Sequence, residues 1–305
     1  MKKLLLTFAY LVFVTVLSSR TQTTLDYQNK SHPVIGQDFM VVSQNVHATE
    51  VGYEILKKGG NAVDASVAVG FALAVTLPRA GNLGGGGFIL IYDKDTDKIS
   101  SIDYRSAAPK NATSEMYVDG DSVKRFGHIV NAVPGSVAGL LKAHEDFGSL
   151  PLRTLLQPAI DLAKDGFEVT YDLNYVLEWG KESMLANQAS REKFYSSSQE
   201  PLKVKSNFKQ PELAKTLFKI SKQGSEIFYK GEIAEWISEE SLSNGGLITL
   251  DDMASYKAKY REPIEIDYRG YRIVSMGPAA SGGLVLLQTL NILENFNLKE
   301  TGHNS

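Results

Sequence analysis

The sequence predicts an α+β fold, and three observations predict it. Strand-like apolar runs gather early, at 39–43, 88–92 and 99–104, a long helical stretch fills the middle, and two more strand-like runs follow at 264–268 and 271–275. Strands and helices that segregate along the chain favour α+β over an alternating βαβ order. The 305 residues are 43 % hydrophobic and 22 % charged, enough apolar material for a sizeable core. Disorder, collagen and a multispan membrane protein are excluded on that balance. The net charge of −3 offers no basic excess for nucleic acid. Cysteine is absent, which excludes disulfides, thiolate nucleophiles, Fe–S clusters and Cys-based zinc sites.

The elements follow in chain order. Lys2 and Lys3 precede Leu4–Leu17, an apolar run of 14 residues that is short for a span of about 20. This is the pattern of a secretory signal peptide over 1–19, with small residues at Val16-x-Ser18 or Leu17-x-Ser19 for cleavage; an uncleaved anchor is the alternative. Residues 20–37 read as a polar leader. Phe39–Ser43 is a candidate buried strand. Ala48, Val51, Ile55 and Leu56 have helical spacing, and Gly59-Gly60 after two lysines is a helix stop. Asn61 with Asp64 forms a capping box for a helix from Ala62 to about Thr76. That helix is apolar nearly all round, so it is expected to be buried.

Phe88–Tyr92 and Ile99–Tyr104 read as a hairpin after the glycine run Gly84–Gly87. Residues 106–121 read as loop. Helices are expected over Pro134–Phe147, Leu152–Lys164, Tyr171–Ala189, Pro211–Lys222 and Ile233–Leu242, with irregular chain over 195–210. Arg269-Gly270 between the late strands is a tight hairpin turn, and Gly282–Phe296 is a closing apolar helix.

Several chemistries fail on spacing. The glycine run lacks the Lys of a phosphate-binding P-loop, and it precedes a strand where a dinucleotide fingerprint would follow one. Two readings of it stay open: close backbone packing or positive φ, and a ligand-facing loop. His32, His47, His128, His144 and His303 form no metal-ligand pair, and no Gly-x-Ser-x-Gly elbow is present. No cofactor or metal is implied. Arg105, at the end of a strand beside the glycine run, is read as a fork for a carboxylate, as a plain surface arginine, or as one paired with Asp103 or a remote acid. The turn Gly277–Gly283 is either an anion-binding helix start or a plain one.

Eight blocks occur in an order that is more specific than any one of them: Val41-Val42-Ser43, Gly59–Ala65, Gly81–Phe88, Asp103-Tyr104-Arg105 with Ala108-Pro109, Pro134-Gly135, Gly245–Thr249, Asp267–Tyr271 and Ser281–Gly283. Together they resemble the bacterial γ-glutamyltranspeptidase (glutathione hydrolase) family over residues 38 to 298. The resemblance implies an N-terminal-nucleophile hydrolase with an αββα sandwich, made as a precursor that cuts itself into a large and a small subunit. It implies an N-terminal threonine nucleophile that forms a γ-glutamyl-enzyme ester. Glutathione and other γ-glutamyl compounds are the expected donors; water, amino acids or peptides are the acceptors. A threonine whose own α-amine acts as base needs neither Cys nor His.

The resemblance also implies that Arg105 binds the α-carboxylate of the γ-glutamyl group. Ser106 stands where the family often has a glutamate, and Ala280-Ser281 where Ser-Ser is more usual. The segment that begins the small subunit falls beyond Ser305, so no catalytic residue is assigned in this chain. Residues 38–305 are accordingly expected to be a partial large subunit whose partner is the small subunit, exported to the periplasm or medium, with no stable membrane span and no nucleic-acid partner. The fragment alone is expected to be inactive. A related cephalosporin or poly-γ-glutamate acylase and a truncated non-enzymatic γ-glutamyl binder are the alternatives.

Overall fold

The computed structural model describes residues 34–119, 122–123 and 125–301. The expected signal peptide, most of the leader, His32 and His303 lie outside the described residues. One unit ends at Met40 and a second starts at Val41. Residues 34–40 carry neither helix nor strand, and every described element belongs to the second unit.

The strand expected over Phe39–Ser43 does not form. A strand needs a neighbour, and no described strand pairs there. Instead Ser43 Oγ donates to the carbonyl of Asn45 and lies 2.8 Å from Thr49 Oγ1, so the segment's end turns into a helix start, while Val42 is exposed. Helix α1, Val46–Lys57, is capped by Asn45, whose Oδ1 accepts from His47 N–H at 3.0 Å and Ala48 N–H at 3.3 Å.

Helix α2, Ala62–Thr76, opens with the expected capping box: Asn61 Oδ1 accepts from Val63 and Asp64, and Asp64 Oδ2 accepts from Asn61 N–H, all at 2.9 Å. Asp64 is fully buried and also accepts from Ser149 Oγ, Ser149 N–H and Leu150 N–H. One carboxylate therefore caps a helix and fixes a remote turn. Val67, Ala68, Phe71, Ala72 and Val75 are wholly buried, as an apolar circumference requires.

Strand β1, Phe88–Asp93, pairs antiparallel with β2, Lys98–Asp103, with Phe88 opposite Asp103. The following loop carries a 3₁₀ turn at Ser114–Tyr117 and two short strands, β3 (Val118–Asp119) and β4 (Ser122–Val123). Helices α3, Ser136–Phe147, and α4, Leu152–Asp165, end at Gly148 and Gly166; the latter has φ +91°, a conformation that favours glycine. Strand β5, Phe167–Glu168, will pair with β6 further on.

The single helix expected over Tyr171–Ala189 is three: α5, Tyr171–Trp179, α6, Lys181–Ala186, and α7, Gln188–Phe194. Gly180 is a poor helix former and ends α5. The Asn187 side chain accepts from Ser190 N–H at 2.9 Å and starts α7. After β6, Asn207–Phe208, come α8, Pro211–Gln223, α9, Ser225–Tyr229, and α10, Glu232–Ser243. Helix α11, Leu250–Ser255, has a second capping box, Thr249 with Asp252.

Strand β7, Lys259–Tyr260, pairs with β2 on the side away from β1, so β2 is central in the order β1-β2-β7, with Asp103 opposite Lys259. Strands β8, Ile264–Tyr268, and β9, Tyr271–Ser275, form the expected hairpin. Its turn residues Arg269 and Gly270 have φ of +50° and +83°, as a two-residue primed turn needs. Helix α12, Ser281–Leu293, packs on that hairpin, and α13, Leu298–Thr301, follows.

Helix α2 lies amid α1, α3 and α4, and α8 packs on α4. Ile89, Ile91 and Ile102 turn one face of the sheet into this core, while Leu90 and Tyr92 on the other face are 41 % and 59 % exposed. The α+β expectation holds.

Candidate functional site

The site is built on the end of β2. Beyond Asp103 the ladder continues for one step: Tyr104 N–H donates to Gly87 O at 3.0 Å, and Gly87 N–H to Tyr104 O at 3.3 Å. A Cβ at Gly86 would overlap Ser106 N and stand 2.7 Å from Tyr104 O; one at Gly87 would stand 2.8 Å from Tyr104 Oη. No residue of Gly84–Gly87 has positive φ, so close packing is what requires glycine at Gly86, against backbone, and at Gly87, against the Tyr104 side chain. Gly85 O accepts from Gly135 N–H at 2.7 Å and Ser136 N–H at 3.0 Å, which ties the start of α3 to the same corner.

Arg105 emerges from this corner into solvent. Both ends of its backbone are held. Its N–H donates to Asp103 Oδ1 at 2.9 Å, and its carbonyl accepts from Tyr256 Oη at 2.8 Å. The guanidinium itself has no hydrogen-bond or ion-pair partner among the described residues. Asp103, only 8 % exposed, pairs instead with Arg261, whose Nε is 3.0 Å from Oδ2. The reading that pairs Arg105 with Asp103 is thereby corrected: a residue 158 positions away claims the carboxylate first.

A cleft of about 480 Å³ opens here. Arg105, Lys110, Lys257, Lys259 and Arg261 line it, against two carboxylates, Asp103 and Asp252. Both carboxylates are already engaged. Burial alone would raise the pKa of Asp252, but the Lys110 N–H and the hydroxyl and N–H of Thr249 outweigh it and hold the carboxyl below its usual value. Even with the Lys110 ammonium paired to Asp251, cations outnumber carboxylates here, so the cleft is cationic in net character and suits an anion.

Tyr256 stacks on Tyr229 at 5.6 Å between ring centroids and 10° between planes. Tyr229 Oη donates to Pro134 O at 2.9 Å and accepts from Ala138 N–H at 3.1 Å, so the pair is anchored to the start of α3. Burial, then the charge of Asp103 and the Tyr104 hydroxyl, push Tyr256 up to about 12, and it remains a proton donor to Arg105 O throughout the neutral range.

Tyr256, Arg261, Lys257, Lys259 and Asp252 join the site without having been expected there. A local signal existed for one of them: Thr249-x-x-Asp252 repeats the pattern of Asn61-x-x-Asp64. The Gly277–Gly283 turn is a helix start, with Ala280 as an N-cap that makes no side-chain hydrogen bond. His47, His128 and His144 lie apart; His144 Nε2 lies 2.7 Å from Leu150 O, and His128 is 3.1 Å from Glu240. Among the described residues no cluster of three His, Asp or Glu is placed to hold a metal, and no helix is long and apolar enough to cross a membrane.

A helical layer packed on an antiparallel sheet places this chain among solved structures of one class. The fold is that of the N-terminal-nucleophile hydrolases. The γ-glutamyltranspeptidase of Helicobacter pylori superposes with a TM-score of 0.86 and 38 % identity, over 90 % of this chain and 80 % of that one. The family model described as Gamma-glutamyltranspeptidase matches residues 48–305, and the chain belongs to that family. The glutathione hydrolase proenzyme of Escherichia coli K12 is 48 % identical over 279 residues, which cover 90 % of this chain and 48 % of that protein. The proenzyme of the same name from Pseudomonas sp. A14 is 40 % identical over 286 residues. The chain thus spans about half the length of the curated relatives it matches.

Proposed function

We propose that this chain is the large-subunit part of an exported γ-glutamyltransferase and glutathione hydrolase. Residues 1–19 would be its signal peptide, 20–37 a leader and 38–305 the partial subunit, which works with a small subunit from the same precursor. In this reading the nucleophile is the N-terminal threonine of that small subunit and lies outside this chain. Its hydroxyl oxygen adds to the γ-carbonyl carbon of glutathione while its α-amine takes the proton. The returned proton lets the cysteinylglycine amine leave, and a γ-glutamyl ester remains. Water then yields glutamate, or an amino acid or peptide amine yields a new γ-glutamyl amide.

Arg105 holds the donor's free α-carboxylate in a two-point ion pair, which distinguishes a γ-glutamyl amide from an ordinary peptide bond. One observation carries this reading: a guanidinium without a partner among the described residues, fixed by its backbone, in a cleft rich in cations. The relatives' designation as proenzymes, and the coverage of about half their length, support the two-part precursor.

The test is made in the full-length, processed enzyme with a γ-glutamyl anilide. Arg105→Ala should raise KM by about ten- to hundred-fold, the loss expected for a charge-assisted pair. Arg105→Lys should recover part of that loss, since it keeps the charge without the fork. An unchanged KM in both variants would overturn the assignment. The 305-residue chain alone should release no anilide product; turnover by the pure chain would place the nucleophile within it.

A further inference from the structure

Arg105 could be neutralised from within the chain, and the group able to do it is Asp103. The two residues are two apart at the end of an extended strand, so their side chains leave from the same side. Asp103 already curls towards Arg105, accepting its backbone N–H at 2.9 Å. Its carboxylate is buried, and a buried carboxylate seeks a cation. The other carboxylate in the cleft, Asp252, is saturated by Thr249 and the Lys110 N–H. Asp103 is therefore the one competitor among the lining residues for the Arg105 fork.

Arg261 stands against that competition. Its backbone N–H donates to Ser101 O at 3.0 Å, which pins it beside β2, and its Nε holds Asp103 Oδ2 at 3.0 Å. Oδ1 is left for the Arg105 N–H and Oδ2 is taken. We propose that Arg261 is a positioning residue that sequesters the Asp103 carboxylate, keeping the Arg105 guanidinium open to a substrate carboxylate. Without Arg261 the Asp103 carboxylate turns to Arg105, and an incoming carboxylate must displace it.

Two measurements test this. The first uses the full-length processed enzyme without substrate and phenylglyoxal, a dicarbonyl that adds to guanidinium groups, with adducts located by mass spectrometry. An open Arg105 is modified readily and an ion-paired one slowly. Arg261→Met should slow Arg105 labelling several-fold. Arg261→Met combined with Asp103→Asn should restore it, because the amide oxygen still accepts the Arg105 N–H but no longer carries charge. Arg261→Lys, which keeps a cation, should label at close to the unmodified rate.

The second measures KM and kcat in the full-length processed enzyme and rests on the γ-glutamyl reading. Arg261→Met should raise KM by roughly ten-fold with kcat little changed, and the double variant should return KM to near its original value. A purely structural role predicts no such rescue. Undiminished labelling in Arg261→Met, or a double variant as impaired as the single one, would overturn the proposal. If labelling behaves as expected while Arg105→Ala leaves KM unchanged, the γ-glutamyl reading fails and the sequestering role of Arg261 stands.

Discussion

Gly86 shows how a single residue shapes the corner that carries Arg105. Its missing side chain lets the glycine-rich turn lie against the backbone of Tyr104 and Ser106. Neither neighbour is the flexible end of a side chain, so a methyl group there must move backbone. Gly86→Ala should destabilise the fold by about 1–3 kcal/mol, as overpacking does. Gly84→Ala should cost far less, since its Cβ meets only Asn82 Oδ1, at 3.3 Å. Urea denaturation of the two variants checks this, and equal losses would refute the packing account. The four glycines were visible in the sequence, and so was close packing as one of their readings. Which residues they press against was not, because Ser106 and Gly135 reach them through the fold. The same limit applies to Arg105. Its exposure at a strand end could be read from local pattern, but its freedom from Asp103 depends on Arg261, and no spacing rule connects residues that far apart.

At the scale of elements, local signals succeeded where they were self-contained. The Asn61–Asp64 box, the Arg269-Gly270 turn and the glycine stops at 148 and 166 all act within a few residues, and each lies where it was expected. Phe39–Ser43 failed because strand formation needs a partner, and the single helix over Tyr171–Ala189 failed because Gly180 ends one helix and the Asn187 cap starts another. Asp64 tests the coupling between elements. Burial would raise its pKa, but the Ser149 hydroxyl and the N–H groups of Asn61, Ser149 and Leu150 outweigh that and lower it below 3.8. A lowered folded-state pKa contributes stability that is complete above the unfolded value and disappears as pH falls through the folded one. Asp64→Asn should therefore destabilise at neutral pH by about 1–3 kcal/mol, the cost of breaking a buried charged network. The deficit relative to the unmodified chain should shrink as pH drops below about 4. Denaturation midpoints at pH 7 and pH 3 check both parts; a deficit independent of pH would exclude the charge as its source.

At the scale of the whole molecule, unburied apolar surface lies on the sheet as well as on the late hairpin and its helix. Leu90 and Tyr92 occupy the sheet face turned away from the core, and Tyr271, Val285 and Ile292 are 72 %, 58 % and 61 % exposed on the late hairpin and its helix. A sheet with one face packed on helices and apolar side chains on the other is half of a sandwich. The proposed small subunit would cover the open face of the β1-β2-β7 sheet, and the length of the matched relatives leaves room for it. Expressed alone, the 305-residue chain should self-associate, because monomers rarely tolerate large contiguous apolar patches. Size-exclusion chromatography with light scattering should show mass above that of one chain at micromolar concentration. Leu90→Lys combined with Val285→Lys should shift the profile towards monomer without lowering the denaturation midpoint appreciably, since both positions are already solvated. A single monomeric peak from the unmodified chain, melting cooperatively, would mean that these faces need no cover, and the half-sandwich interpretation would fall with it.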